Sequence, residues 1–362
     1  MGSFAQFHAR SIVDRDNFWA EQAKMVDWQA QPQQICDYSN PPFAKWFVGG
    51  TTNLCHNAVD RHLKDRGEQA ALIFVSTETE QEKTYTYKDL HAEVQRMAAI
   101  LKGFGVAKGD RVLIYMPMIA EASFAMLACA RIGAIHSVVF GGFASHSLAT
   151  RIEDASPKVI ISADAGSRGG KVVPYKPLLD EAISLSSHKP KAVLMVDRHL
   201  SEFASVAGRD FDYAKERDKH LNAQVPCEWV ESTHPSYTLY TSGTTGKPKG
   251  VPRKQRAERA AGIAHVAQNQ YAMGEVTLGV MPLYHTMGVR TLLSLCIVNG
   301  TYVAVPRWDV DKALDAIEAE KVTHLYLVPT LYHDMLGSKN FHDSRVKSVR
   351  KLGFAGAPMN DA

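Results

Sequence analysis

From about residue 84 the chain alternates between two apolar periodicities. The stretch "TYTYKDLHAEVQRMAAILKGFG" carries Leu90, Val94, Met97, Ala98 and Leu101 at helical spacing, and Gly103 and Gly105 supply the stop. "RVLIYMP" follows as an apolar run of strand length, "MIAEASFAMLACARIGA" as a buried helix, and "IHSVVFGG" as a strand entering a glycine turn. "SLATRIEDAS" predicts a helix, "KVIISAD" a strand, residues 176–186 a helix, and "KAVLMVD" a strand again. Strands that are apolar throughout and alternate with helices belong to a parallel sheet covered on both faces.

The alternation resumes in the second half. "KQRAERAAGIAHVAQNQYAM" predicts a helix, "TLGVMPLYH" a strand, "VRTLLSLCIVNG" a buried helix and "TYVAVPR" a strand. "DVDKALDAIEAEKV" is amphipathic, capped at Asp309, with Ala313, Leu314, Ile317 and Val322 facing inward. "HLYLVP" and "KLGFAGAP" read as the last strands. Residues 1–70 hold Trp19, Trp28, Trp46 and the Pro41–Pro42 pair without a clear period, and read as an irregular segment wrapped on a larger body. The fold class is therefore α/β, with a first subdomain over 71–235 and a second, incomplete one over 236–362. Ligands of open α/β sheets sit at the carboxyl ends of the strands. Gly141, Thr241, His285 and Gly356 all fall there.

Composition narrows the function classes. An apolar fraction of 45% and a charged fraction of 22% are those of a globular enzyme. A formal charge of +3 over 362 residues argues against a dedicated nucleic-acid or anionic-membrane surface. No apolar run reaches membrane-spanning length, and the first residues carry charges where a signal peptide needs an apolar core, so a cytoplasmic location is expected. Cys36, Cys55, Cys129, Cys227 and Cys296 stand far apart with no CxxC pair, which predicts reduced thiols and no metal site.

The stretch with the most chemistry is "YTSGTTGKPKGVPRK", Tyr240 to Lys254. Gly243 and Gly246 let backbone N–H groups converge, while Thr241, Ser242, Thr244 and Thr245 offer hydroxyl donors and Lys247 or Lys249 offers point charge. A polyphosphate suits such a loop. A solvated loop would use the same residue types. A Walker A loop is excluded, because Gly243 and Gly246 are too close together and Pro248 follows Lys247 where a hydroxyl is required. Proline also removes an N–H and prevents the loop from running straight into a helix.

In its order of residues, "YTSGTTGKPKG" resembles the signature of the adenylate-forming enzymes, which include acyl-CoA synthetases, luciferases and peptide-synthetase adenylation domains. That resemblance implies a large N-terminal domain of two stacked, mostly parallel sheets flanked by helices. It implies ATP, Mg²⁺ and coenzyme A as co-substrates and a small-molecule carboxylate as partner. The loop, Thr241 to Lys247, would close over the ATP phosphates. "FWAEQAKMVDW", "WFVGGTTNLCHNAVDRHL", "YMPMIAEASFAMLACARIGAIHSVVFGGFASHSLATRI" and "VIISADAGSRGGK" are similar to the acetyl- and propionyl-CoA synthetase branch. By that likeness Phe140, Gly141 and Gly142 form a glycine turn against coenzyme A, and Arg168 and Lys171 contact its phosphates.

Beyond Val251 the character shifts. "VMPLYHTMGVRTLL" resembles the "PL-aromatic-His" segment of aryl- and longer-acyl-CoA ligases, which implies that His285 borders the carboxylate and the α-phosphate; His285 and Lys249 are the candidate catalytic residues. A core histidine at a strand end is the plainer alternative. "GFAGAP" fits the adenine-side loop, through Gly356, Ala357 and Pro358. The expected activity is thus acyl-adenylate and then acyl-CoA formation from a propionate- or acetate-like acid. An aryl- or medium-chain acid, or a non-catalytic nucleotide- or CoA-binding fragment, stands as the alternative. The aromatic-Gly-x-Thr-Glu stretch, the ribose-binding Asp and the small C-terminal lid with its lysine are not found in residues 300–362. A truncated core, weak or inactive alone, is the expectation.

Overall fold

The computed structural model describes residues 4–41, 43–76, 78–168, 171–241, 249–305 and 307–356. The amino-terminal segment opens with helices α1 (Phe4–Val13) and α2 (Arg15–Ala23). A hairpin of β1 (Gln34–Asn40) and β2 (Phe43–Val48) follows, then β3 (Thr51–Thr52), α3 (Leu54–Ala58) and α4 (Leu63–Arg66). The expectation of an irregular segment here gives way to helices. Phe18 supplies the reason: it is buried edge-on against Phe7 and Trp19, a contact between residues that no period links.

The alternating region then begins with β4 (Ala70–Val75), β5 (Glu82–Thr86) and α5 (Tyr87–Gly103). A capping box starts α5, in which the Thr86 hydroxyl accepts from Asp89 N–H and the Asp89 carboxylate accepts from Thr86 N–H. Its inward face is the predicted one: Leu90, Val94, Met97, Ala98 and Leu101 are all buried. Next come β6 (Arg111–Met116), α6 (Ala120–Arg131), β7 (Ile135–Phe140), α7 (Ser145–Ala155) and β8 (Val159–Ala163). A hairpin of β9 (Ala165–Arg168) and β10 (Lys171–Pro174) leads to α8 (Tyr175–Leu185), β11 (Ala192–Val196), β12 (Asp210–Asp212) and α9 (Tyr213–Asp218).

Past β13 (Val230–Glu231), strands β14 (Pro235–Thr241) and β15 (Lys249–Lys254) pair antiparallel, and α10 (Gln255–Gln268) follows. The remainder is β16 (Val276–Gly279), α11 (Thr286–Ile297), β17 (Thr301–Ala304), α12 (Val310–Ala319), β18 (His324–Leu327), α13 (Pro329–Leu336) and β19 (Lys351–Phe354). The strand predicted over "TLGVMPLYH" stops at Gly279. Pro282 has no N–H for a ladder, and its carbonyl instead accepts the His285 N–H at 2.9 Å, which turns the chain into α11.

Two mostly parallel sheets result. One has the order β12-β11-β8-β6-β7-β14-β15, with only β15 antiparallel; the other is β19-β18-β16-β17-β4-β5, with only β5 antiparallel. Helix α5 packs on β4 and β5, α6 packs on β6 and β7, and the two helices pack on each other between the sheets. Helix α12 is capped by Asp309, whose carboxylate accepts from Lys312 N–H at 3.1 Å, and buries Ala313, Leu314 and Ile317 against the second sheet. Sheet membership crosses residue 235 in both directions: β4 and β5 join the second sheet, and β14 and β15 join the first.

The amino ends of β16, β18 and β19 are tied by Glu275, which is buried and accepts from Lys351 Nζ, the Thr323 hydroxyl and Ala272 N–H. Burial alone would raise its carboxyl pKa, but these donors hold it down to about 2, against an ordinary value of 4.5. A depressed carboxyl stabilises the fold fully above its unfolded pKa and loses that contribution as pH falls through the folded one. The melting temperature is therefore expected to fall between about pH 4.5 and about pH 2. Glu275→Gln should lower it at pH 7 and flatten that slope. An unchanged slope in thermal melts would contradict the assignment.

Candidate functional site

The described ones among the sequence-predicted residues lie at the carboxyl ends of the parallel strands or in the segments that follow them. Thr241 ends β14 and pairs directly with Lys249, the first residue of β15. The loop between them therefore connects two antiparallel strands. This geometry separates it from a P-loop, in which a helix follows, and agrees with the exclusion that Pro248 supplies. Ser242, Gly243, Thr244, Thr245, Gly246 and Lys247 lie outside the described residues, as do Ala357 and Pro358. Gly356 lies two residues past the end of β19, with φ +92°.

His285 is exposed and caps α11, its Nδ1 accepting the Met287 N–H at 3.2 Å. That bond assigns the proton of the neutral ring to Nε2, which leaves a donor facing outward. The turn before it is docked on the first sheet's end, where Leu283 N–H meets Met118 Sδ at 3.2 Å. The cap is a structural role, and the Nε2 edge can serve a ligand at the same time.

The glycine turn after β7 is built around two tyrosines that sequence reasoning missed. The Tyr115 hydroxyl accepts the Gly142 N–H at 3.2 Å and donates to the Phe143 carbonyl at 3.2 Å. Tyr175, buried and 5.2 Å from the Tyr115 ring, lies where a side chain on Gly141 would be. A Cβ there would stand 2.4 Å from the Tyr175 hydroxyl, and one on Gly166 would stand 2.1 Å from it. Glycine is required at 141 and 166 by this close approach, and at 142 by φ +92°. No periodic signal marks Tyr175, because its partners come from two different turns.

Gly166 belongs to the β9–β10 hairpin, which pairs Arg168 with Lys171. Glu78 accepts the Ser167 N–H at 2.8 Å and is bound by Arg198, which also donates to the Ala165 carbonyl at 3.1 Å. The hairpin is thus clamped from behind, and Lys171 is exposed at its tip. Arg151 joins the glycine turn to β14: its guanidinium lies 4.6 Å from the Phe143 ring centre and 5.2 Å from that of Tyr240. Tyr240 in turn donates to Asp154 at 2.7 Å. The glycine turn and the end of β14 are therefore neighbours, linked by the Arg151 side chain.

Among the described residues, Cys55, Asp60 and Cys227 bring ligand atoms within 4.8 Å of one another. Sequence spacing did not disclose this cluster. Asp60 is already gripped by both Nη atoms of Arg131 at 2.9 Å, so the set does not suit an oxygen-seeking Mg²⁺.

A mostly parallel, two-sheet α/β core with an antiparallel hairpin at its carboxyl edge is the architecture that the resemblance to the adenylate-forming enzymes implies. Residues 59–362 match the family model "AMP-binding enzyme", and residues 4–58 match "Acetyl-coenzyme A synthetase N-terminus". The chain belongs to the AMP-binding enzyme family. It is 61% identical to the propionate–CoA ligase of Escherichia coli (strain K12) across 99% of its own length and 58% of that protein's. It is 38% identical to the acetyl-coenzyme A synthetase of Methylobacterium radiotolerans, across 99% of its length and 57% of the relative's. Acetoacetyl-CoA synthetase from Streptomyces lividans shares the fold with a TM-score of 0.88 at 23% identity, covering 99% of this chain and 56% of that one. The chain thus spans somewhat over half the length of the relatives it matches. The sequence alignments continue past Val251 through the second half, and they do not favour the aryl- or medium-chain alternative.

Proposed function

We propose that the protein of which this chain forms the nucleotide-binding part activates a short-chain carboxylate, propionate or acetate, to an acyl-adenylate and then to an acyl-CoA. ATP and coenzyme A are the co-substrates, and Mg²⁺ arrives on the ATP phosphates. The observation that carries this reading is the "YTSGTTGKPKG" loop joined to Thr241 and Lys249 at the mouth of an antiparallel hairpin. A loop held at both ends by paired strands can be drawn over a polyphosphate without disturbing the sheet below it. Its backbone N–H groups and hydroxyls would hold the leaving pyrophosphate, and Lys249 would neutralise charge beside it. His285 Nε2–H would donate to the oxygen that gains charge when the carboxylate attacks the α-phosphate. The turn Phe140–Gly142, with Arg168 and Lys171, would receive coenzyme A from the neighbouring side. The likeness to propionate–CoA and acetyl-CoA ligases supports the choice of acid.

Carboxylate-dependent ATP–pyrophosphate exchange on the whole gene product tests this reading. Exchange is expected with propionate or acetate and not without acid. Absence of exchange with every short carboxylate would overturn it. His285→Ala should lower exchange by about 10²-fold, the usual effect of losing one donor to a developing charge. An unchanged rate would leave His285 as a helix cap only.

A further inference from the structure

A cavity of about 60 Å³ lies between the amino-terminal segment and the helix pair α10–α11. It is far from the hairpin mouth. Ser232, which lines it, precedes β14 at the end opposite Thr241, and the strand spans about 20 Å. Cys296 and Ile297 line it from the last turn of α11, about 18 Å along that helix from the His285 cap. Two separate elements therefore place it on the amino side of the sheets.

The walls are mostly apolar; Thr52, Asn53, Asn57 and Ser232 also line the space, with their side chains donating to backbone carbonyls, and two guanidinium groups complete it. Arg61 Nη1 donates to the Met25 carbonyl at 2.7 Å and stands 3.9 Å from Asp27 Oδ1. Arg259, on α10, has neither a hydrogen bond nor an ion pair among the described residues. Its guanidinium lies 6.0 Å from the centre of the Trp28 ring. Burial first, and then the neighbouring Arg61, lower its pKa to about 9, while Asp27 opposes them. Arg259 is half-buried, and its guanidinium brings five donors in a planar fork that finds no protein acceptor among the described residues. Among the described residues, two arginines against the one carboxylate of Asp27 leave one uncompensated positive charge beside the cavity. The acceptor that matches a planar fork is a carboxylate, and the surrounding Trp28, Phe47, Leu293 and Ile297 suit an alkyl group. By the volume a single water needs, the space holds about five water-sized positions, enough for an acid of a few carbons.

We propose that this cavity is a carboxylate-binding site separate from the hairpin mouth, which takes a small amphipathic monocarboxylate with its head at Arg61 and Arg259 and its alkyl part against Trp28, Phe47 and Ile297. The proposal stands independently of the adenylation reading. It provides a place where a short acid bears on the packing of the amino-terminal segment against α10 and α11 without occupying the site at the strand ends.

Titration calorimetry with butanoate at constant ionic strength, on the chain as it stands, tests it. Saturable binding is expected in the parent protein, at least tenfold weaker binding in Arg259→Met, and unchanged binding in His285→Ala. 1-Butanol, which has the alkyl part without the charge, should give no saturable heat. Arg259→Lys keeps the charge but not the fork, and should weaken binding less than Arg259→Met; it decides the matter if thermal melts show that the methionine variant does not fold. No butanoate binding, or equal binding in the parent and both Arg259 variants, would overturn the proposal. So would binding that is lost in His285→Ala and kept in Arg259→Met, since the acid would then sit at the hairpin mouth.

Discussion

Replacing Arg131 by methionine is expected to destabilise the protein by about 3–5 kcal/mol, the usual result of stripping one partner from a buried ion pair. Arg131 is only 3% exposed and sits at the end of α6. Its two Nη atoms bind the two oxygens of Asp60 at 2.9 Å, and its Nε donates to the Val225 carbonyl. One side chain therefore holds together the amino-terminal segment, α6 and the strand-free stretch before β13. Asn53 reinforces the junction, donating to the carbonyls of Ala130 at 2.9 Å and Glu228 at 2.7 Å. Burial would raise the Asp60 carboxyl pKa, but His91 and Arg131 hold it well below the ordinary carboxylate range. Without Arg131 that charge keeps His91, 3.4 Å away, and the weak Cys55 thiol donor at 3.9 Å. Urea unfolding at pH 7 measures the effect. Adding Asp60→Asn to the methionine variant should recover part of the loss, because the orphaned charge is removed with it. A loss below about 1 kcal/mol, the value of an exposed pair, would show that the junction is not held in this way.

The second large effect is expected from Gly141→Ala. The new methyl would stand 2.4 Å from the Tyr175 hydroxyl and 2.6 Å from two of its ring carbons. Tyr175 has no free direction in which to retreat, since it is buried beside Tyr115 and Gly166 closes its other side. The turn must move instead, at a cost of about 1–3 kcal/mol for overpacking, and Gly142 N–H is drawn from the Tyr115 hydroxyl. If this turn receives coenzyme A, the KM for coenzyme A should rise at least tenfold while carboxylate-dependent ATP–pyrophosphate exchange is spared. Gly103→Ala is the control, because no atom lies within 4 Å of its added methyl. Equal losses in exchange and in the coenzyme A step would show that the turn supports the whole fold and not one half-reaction.

Much of the architecture is legible along the chain because its signals are local. The capping box of α5, the Asp309 cap and inward face of α12, and the largely apolar β6, β8 and β11 each express a period or a neighbour within four residues. The hairpin mouth is legible through Pro248, which forbids a helix directly after the loop, and β15 follows it. Local pattern misleads where a particular contact or turn overrides the period. Helices α1 and α2 meet through Phe7 and Phe18, which the loose aromatic spacing did not signal, and the strand over "TLGVMPLYH" is cut short by the turn that Pro282 makes with His285.

The α/β alternation, the periods of the helices and the chemistry of the phosphate-type loop were thus set by the order of residues alone, since they rest on propensities and spacings within a few positions. Folding in three dimensions was needed to bring β4 and β5 into the second sheet, to fill with Tyr175 the space that two glycines leave open, and to join Arg131 to Asp60. It also placed Arg259 beside Arg61 at an apolar cavity. Most such contacts join residues tens to hundreds of positions apart, and the free energy that selects them, from burial, close packing and charge pairing, exists only once the chain has folded.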